Sequence, residues 1–176
     1  MDQLTAIAAV GANGVIGADG RLPWHIREDM RHFRDVTMDQ ALVMGRTTYE
    51  SLGVVELSGR ALFIASRHPR AGVPPDIPDG FHGSSTGVQW YPSLDAAIAA
   101  ARRWASKYGR RVFIAGGEQI YRQAWPLLTD LELTLVDDAP PGDRRFPDVD
   151  PAEWDETARQ AHDGFAFVHF RRRSRP

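Results

Sequence analysis

The chain has 176 residues and a mass of 19.6 kDa, enough for one domain with a sizeable core. Its 43% hydrophobic and 25% charged residues fit a soluble globular fold, and a net charge of -2 argues against a global attraction to nucleic acid. Cysteine is absent, which excludes disulfides, thiolate nucleophiles and zinc–thiolate sites together.

"MDQLTAIAAV" at the N-terminus holds an apolar run too short for a signal peptide or a membrane span. A cytoplasmic location with no membrane partner is the expectation. "LTAIAAV" (4–10) reads as a strand. "GANGVIG" (11–17) is glycine-rich, but "ADGRLPW" follows where a dinucleotide-binding helix would have to begin, so the Rossmann fingerprint is not met. A helix is expected after Pro23 and Trp24. At roughly 100° per residue, Ile26, Met30, Phe33 and Val36 share one arc, while Arg27, Glu28, Arg31, His32, Arg34 and Asp35 fall outside it. Asp29 falls inside the apolar arc. Two readings stand at this point: a half-exposed acid favoured by the helix dipole, or a pocket acid of raised pKa meeting a nitrogen-rich ligand edge.

"ALVMG" (41–45) is a strand that enters a short helix, "RTTYESLG" (46–53), through Gly45-Arg46-Thr47-Thr48. "ALFIAS" (61–66) is a strand whose end places Ser66 and Arg67 to hold an anion. Residues 68–87, rich in proline and glycine, read as a surface loop. The loop is favoured over the alternative of an interdomain linker, because neither half alone completes a sheet. "VQWY" (88–91) is a strand, and "SLDAAIAAARRWASKYG" (93–109) is a helix with a serine N-cap and a terminal glycine. "RVFIAGG" (111–117) runs through Gly116-Gly117 into a helix at 117–125, and "LELTLV" (131–136) is a further strand. Two extended runs flank Asp163-Gly164, a dipeptide suited to a type I′ hairpin. "RRRSRP" reads as a solvated tail rather than a phosphate contact. The expected fold is therefore α/β: a single domain over 1–176, with a central, mainly parallel eight-stranded sheet, an antiparallel C-terminal edge hairpin and about four flanking helices. Several strand–glycine–helix turns on one sheet suit a ligand carrying phosphates. The histidines show no metal-ligand spacing, and no metal is expected; no G-x-S-x-G elbow or P-loop is present.

Taken in order, "AIAAV", "GVIG", "LPW" with an acid after four more residues, "VMGRTTYESLG", "SGR", "IAGGEQIY", "LTLVD" and "GDRRFPD" resemble the dihydrofolate reductase family over nearly the whole chain. The resemblance implies NADPH-dependent reduction of 7,8-dihydrofolate to tetrahydrofolate in one-carbon metabolism, antifolate-type ligands, no nucleic-acid partner and a monomer. It implies that Asp29 holds the pterin 2-amino group and N3, that Thr134 supports Asp29, and that Trp24 helps hold a water beside it. Ile7, Ala9, Met30, Phe33, Leu52 and Leu57 would be apolar walls, with Ala115 and Tyr121 also on the substrate side. Arg60 resembles the arginine that pairs with the glutamate-tail carboxylate. Residues 15–21 resemble a loop that closes over nicotinamide, with Ile16, Gly17, Gly20 and Leu22 against the cofactor. Gly116-Gly117 resembles a cis link beside the pyrophosphate, flanked by Gly45, Glu118, Gln119 and Ile120. Arg46, Thr47, Thr48, Ser66 and Arg67 fall where the family holds the cofactor phosphates. The chain departs from the family where "VVELSGR" (54–60) replaces a proline-containing stretch, and where Ile26-Arg27 replaces a commoner Leu-Pro. Two alternatives are a pyrimidinone reductase of riboflavin synthesis and a noncatalytic NADP- or pterin-binding module.

Overall fold

In the strand at Ala41–Gly45, Ala41 and Val43 enter one core cluster, while Leu42 and Met44 enter another. Side chains alternate across a strand, so an unbroken apolar run means that both faces of the sheet are covered. The computed structural model describes residues 3–52, 57–68 and 87–174. Its elements in chain order are β1 (Leu4–Gly11), β2 (Val15–Gly17), α1 (Arg27–Thr37), β3 (Ala41–Gly45), α2 (Arg46–Leu52), β4 (Ala61–Ala65), β5 (Gly87–Tyr91), α3 (Leu94–Tyr108), β6 (Val112–Ile114), α4 (Glu118–Ala124), β7 (Asp130–Val136), β8 (Arg144–Arg145), β9 (Trp154–His162) and β10 (Phe165–Arg172). A 3-10 turn, Trp125–Leu127, follows α4.

The eight-stranded sheet has the order β5-β4-β3-β6-β1-β7-β10-β9. Pairing is parallel from β5 to β7, and β10 is antiparallel to both β7 and β9. The mainly parallel sheet with an antiparallel edge is thus as expected. One face packs against α3 and the turns near α4, through Leu4, Val43, Phe63, Ala97, Ile98 and Ala101. The other packs Ile7, Leu42, Met44, Leu62, Ile64 and Phe113 against Phe33 and Val36 of α1 and Tyr49 and Leu52 of α2. α3 has the expected ends: Ser93 accepts a hydrogen bond from Ala96 N–H at 3.2 Å, and Gly109 closes the helix in the left-handed region. β2 and β8 pair with each other in a small second sheet that patterning does not reveal, because two or three residues carry no period.

Two expectations need correction. Of the hairpin pair, Gly164 has positive φ (81°) and Asp163 does not, so the turn is not type I′. Type I′ needs left-handed backbone at both positions, and only the glycine takes it without a Cβ penalty. Of the arginines of "RRRSRP", Arg171, Arg172 and Arg173 are described, and they are not a free tail. Arg172 donates to the carbonyls of Leu128 and Trp125 at 2.8 and 2.6 Å and stands 4.3 Å from the Trp154 ring centroid, and Arg173 pairs with Asp155 at 2.5 Å. Of the 68–87 segment, residues 69–86 lie outside the described residues, as do residue 53 and 54–56 of the variant stretch before Arg60. Among the described residues no helix is long and apolar enough to cross a membrane.

Candidate active site

α1 begins without a side-chain cap, since Ile26 occupies that position, and Thr37 is its one buried residue. Its apolar arc is consequently only part-covered by core. Ile26, Phe33 and Val36 are half-buried and Met30 is 47% exposed. The rest of that arc forms one wall of a cavity of about 1810 Å³ that opens between α1 and α2 and along the ends of β1, β3, β4 and β6.

Asp29 projects from α1 into this cavity. Thr134, 3% exposed on β7, donates its hydroxyl to Asp29 Oδ1 at 2.6 Å. Burial pushes the Asp29 carboxyl above its ordinary range, opposed by the Thr134 hydrogen bond and by the charge of His32. The balance has a simple origin. A hydrogen bond to a charged group returns about 1.5–3 kcal/mol, whereas removing a carboxylate from water costs several kcal/mol even after relaxation. The pocket-acid reading therefore fits the geometry better than the half-exposed alternative. Trp24 borders the same cavity, and its buried indole N–H has no acceptor among the described residues.

The cavity wall includes every residue named above as a candidate. On the side of α1 lie Ile7, Ala9, Met30, Phe33, Leu52, Leu57, Ala115, Tyr121 and Thr134. Burial of Tyr121 raises the phenol's pKa, and its donation to the Ile7 carbonyl at 2.6 Å commits the hydroxyl to the backbone. Arg60 is 2% exposed. It donates Nη1 to the Ser58 carbonyl at 2.8 Å and Nε to Thr37 Oγ1 at 3.2 Å, and lies 5.8 Å from the Phe33 ring centroid. Burial and the nearby Arg34 both lower its pKa.

At the other end are Ile16, Gly17, Gly20 and Leu22, then Gly45, Arg46, Thr47, Thr48, Ser66 and Arg67, then Gly116, Gly117, Glu118, Gln119 and Ile120. The Gly116-Gly117 peptide bond is cis. Gly116 accepts a hydrogen bond from Gly45 N–H at 3.0 Å, which joins the ends of β3 and β6. α2 and α4 are only seven residues each.

Reading for candidates one residue at a time missed the charge of the cavity as a whole. Arg21, Arg31, Arg34, Arg122 and Arg144 join Arg46, Arg60 and Arg67 on its wall, against the carboxylates of Asp29 and Glu118. A chain of net charge -2 thus has a strongly positive cavity, the setting for a ligand with several anionic groups. No single motif announces these arginines, because they come from α1, α2, α4, β8 and loops far apart in sequence. Hydroxyls and guanidinium groups at one end suit phosphate. One acid between apolar walls suits a flat, nitrogen-rich ring at the other.

The sequence matches the family model described as dihydrofolate reductase over residues 3–172. It is 38% identical to dihydrofolate reductase HdrB of Haloferax volcanii, over 97% of this chain and 84% of that protein. It is 36% identical to the dihydrofolate reductase of Neisseria meningitidis serogroup A, over 98% and 99%. A solved dihydrofolate reductase from Enterococcus faecalis, complexed with NADP(H) and RAB-propyl, superposes with a TM-score of 0.72 at 24% identity, covering 98% of this chain and 97% of that one. That likeness bears on the fold. Neither a pyrimidinone reductase nor a noncatalytic binding module is favoured by these matches.

Proposed function

The chain belongs to the dihydrofolate reductase family, and on that premise we propose that it reduces 7,8-dihydrofolate to 5,6,7,8-tetrahydrofolate at the cavity described above. The observation that carries this reading is the part-buried Asp29–Thr134 pair facing that cavity. The Asp29 carboxylate accepts hydrogen bonds from the pterin 2-amino group and N3, and the Thr134 hydroxyl fixes its orientation. Met30, Phe33, Leu52 and Leu57 hold the ring between apolar walls, and Arg60 receives the tail carboxylate.

NADPH fits the far end, where Arg46, Arg67, Thr47, Thr48 and Ser66 line the wall, and it supplies the hydride that reduces pterin C6. The protein's share is alignment and exclusion of bulk water. Protonation of N5 draws on a water-borne proton. Asp29 tunes the pterin electrostatically, and the Trp24 N–H is placed to hold a water nearby. With the same reading go a one-domain monomer, a cytoplasmic location and binding of antifolate-type molecules.

The test follows loss of NADPH absorbance after adding dihydrofolate to the purified protein. Asp29→Asn retains NADPH binding and loses most turnover at neutral pH, with partial recovery at low pH where the substrate arrives protonated. Turnover at the wild-type rate at pH 7 in that variant would overturn the assignment.

A further inference from the structure

Two polar rungs tie α1 to the sheet. Asp29 and His32 lie about one helical turn apart, and Glu132 and Thr134 lie two residues apart on β7, hence on one face. Thr134 to Asp29 forms the first rung, and His32 Nε2 to Glu132 Oε1, at 3.0 Å, forms the second. The His32 ring also stacks on Phe167, with centroids 3.9 Å apart, and Phe167 is the register partner of Thr134. Side-chain exposures of 22% for His32 and 19% for Glu132 leave the pair largely shielded. Helix, strand and aromatic ring thus fix one imidazole beside the acid of the cavity.

We propose that His32, held by Glu132 and Phe167, is a positioning residue for Asp29: the clamp fixes how α1 sits over the substrate side of the cavity, and the ring, when protonated, favours the ionised acid one turn away. This rests on the reading of Asp29 as the pterin-facing acid.

Arg31 and Arg34 of α1 also line the cavity, and Glu132 opposes the His32 charge at close range, so the role of His32 rests on its place one turn from Asp29 and on its clamp to β7 and β10. On α1, Glu28, Arg31 and Asp35 are exposed. On β7 the neighbouring acid on this face is Asp130, which has its own partners in His169 at 3.3 Å and Arg171 at 3.6 Å, both on β10. On β9, His162 meets Phe167 edge-on at 5.1 Å. Neither His162 nor His169 lines the cavity, whereas His32 does. A cation near a part-buried carboxylate lowers the cost of its ionisation, and His32 acts on Asp29 in that direction.

The test follows the Asp29 carboxyl carbon by NMR across pH in the wild type, His32→Gln and His32→Phe, with Asp29→Asn supplying the assignment. His32→Gln keeps a donor for Glu132 without the charge, and His32→Phe keeps the stack on Phe167 without the donor. The expected result is an upward shift of the Asp29 midpoint in both variants, with the midpoint of the pH–turnover profile moving the same way. An unmoved midpoint in His32→Gln, with any loss of activity equal at every pH, reduces His32 to a packing residue and overturns the proposal. If the midpoint moves but the wild type does not turn over dihydrofolate, the enzyme reading falls and the coupling stands.

Discussion

Asp29 is where stability and the proposed activity pull apart. Its folded-state pKa lies above the ordinary value of 3.8 because of burial, opposed by Thr134 and His32. The folded state therefore holds this proton more tightly than the unfolded chain does. Stability is lost as pH climbs from the ordinary value through the raised one, and stays lost at neutral pH. Asp29→Asn keeps an oxygen to accept from Thr134 and removes the charge. Thermal unfolding at pH 7 should show a higher Tm for the variant than for the wild type, with the gap closing below the ordinary carboxyl value. A variant less stable than wild type at pH 7 would mean that the carboxylate stabilises the fold. The oddity of Asp29 was legible in the sequence, because helical periodicity placed it on the apolar arc. Thr134 was not legible from pattern. It lies 105 residues away and is an ordinary β-branched strand residue by type, so family motifs alone pointed to it. His32 escaped for the opposite reason, since periodicity set it outside the apolar arc while its contacts are to β7 and β10.

At the scale of elements, the loop proposed to face the cofactor depends on a strand pair of minimal length. β2 pairs with β8 only through Val15↔Arg145 and Gly17↔Arg144, and Asp143 N–H adds a bond to the Gly17 carbonyl at 3.1 Å. Gly142 makes that approach possible, for a Cβ there would collide with Val15 and with the Gly17 carbonyl. Gly142→Ala should push β2 off β8. The expected cost is about 1–3 kcal/mol of overpacking, with NADPH affinity falling by about tenfold, the equivalent of about 1.4 kcal/mol, and the main sheet intact. Fluorescence titration with NADPH and circular dichroism read both effects. Unchanged affinity would show that pinning β2 does not shape the cofactor side. The long strands and α3 were legible because buried runs and caps leave strong local signals. This pair was not, since its stability comes from backbone fit between segments more than a hundred residues apart.

At the scale of the molecule, the C-terminal edge is bound by aromatic and cationic contacts more than by its own burial. β9 is exposed along its length except at Trp154, which packs on Trp125 with ring centroids 5.3 Å apart. Arg172 lies over both rings and bonds two backbone carbonyls. Arg172→Met should cost about 2 kcal/mol or more, lowering Tm by roughly 4–8 °C, with Tm measured by calorimetry. A shift within experimental scatter would show that the apolar contacts alone secure the edge. The same strand bears on assembly. Its open side carries Asp155, Glu156 and Arg159, and charged residues on an edge discourage pairing with another sheet. Sedimentation should therefore find one species of 19.6 kDa, and a stable dimer would refute the monomer proposal.

The position of β1 has a consequence for how the protein is made. The first strand of the chain sits in the interior of the sheet, and its two neighbours are β6 and β7. Its register partners run from Val112 to Val136. Translation thus produces the central strand early and its partners late. Closing so long a loop before any pairing rewards it is slow. Until residue 114 has emerged, a nascent chain holds an apolar segment with both edges unsatisfied, and its β7 edge stays open until residue 136, the condition that invites chaperone binding or aggregation. The acid of the cavity waits equally long, because Thr134 arrives only at the end of that interval. Synthesis is then well past the midpoint before the pocket has its oriented carboxylate.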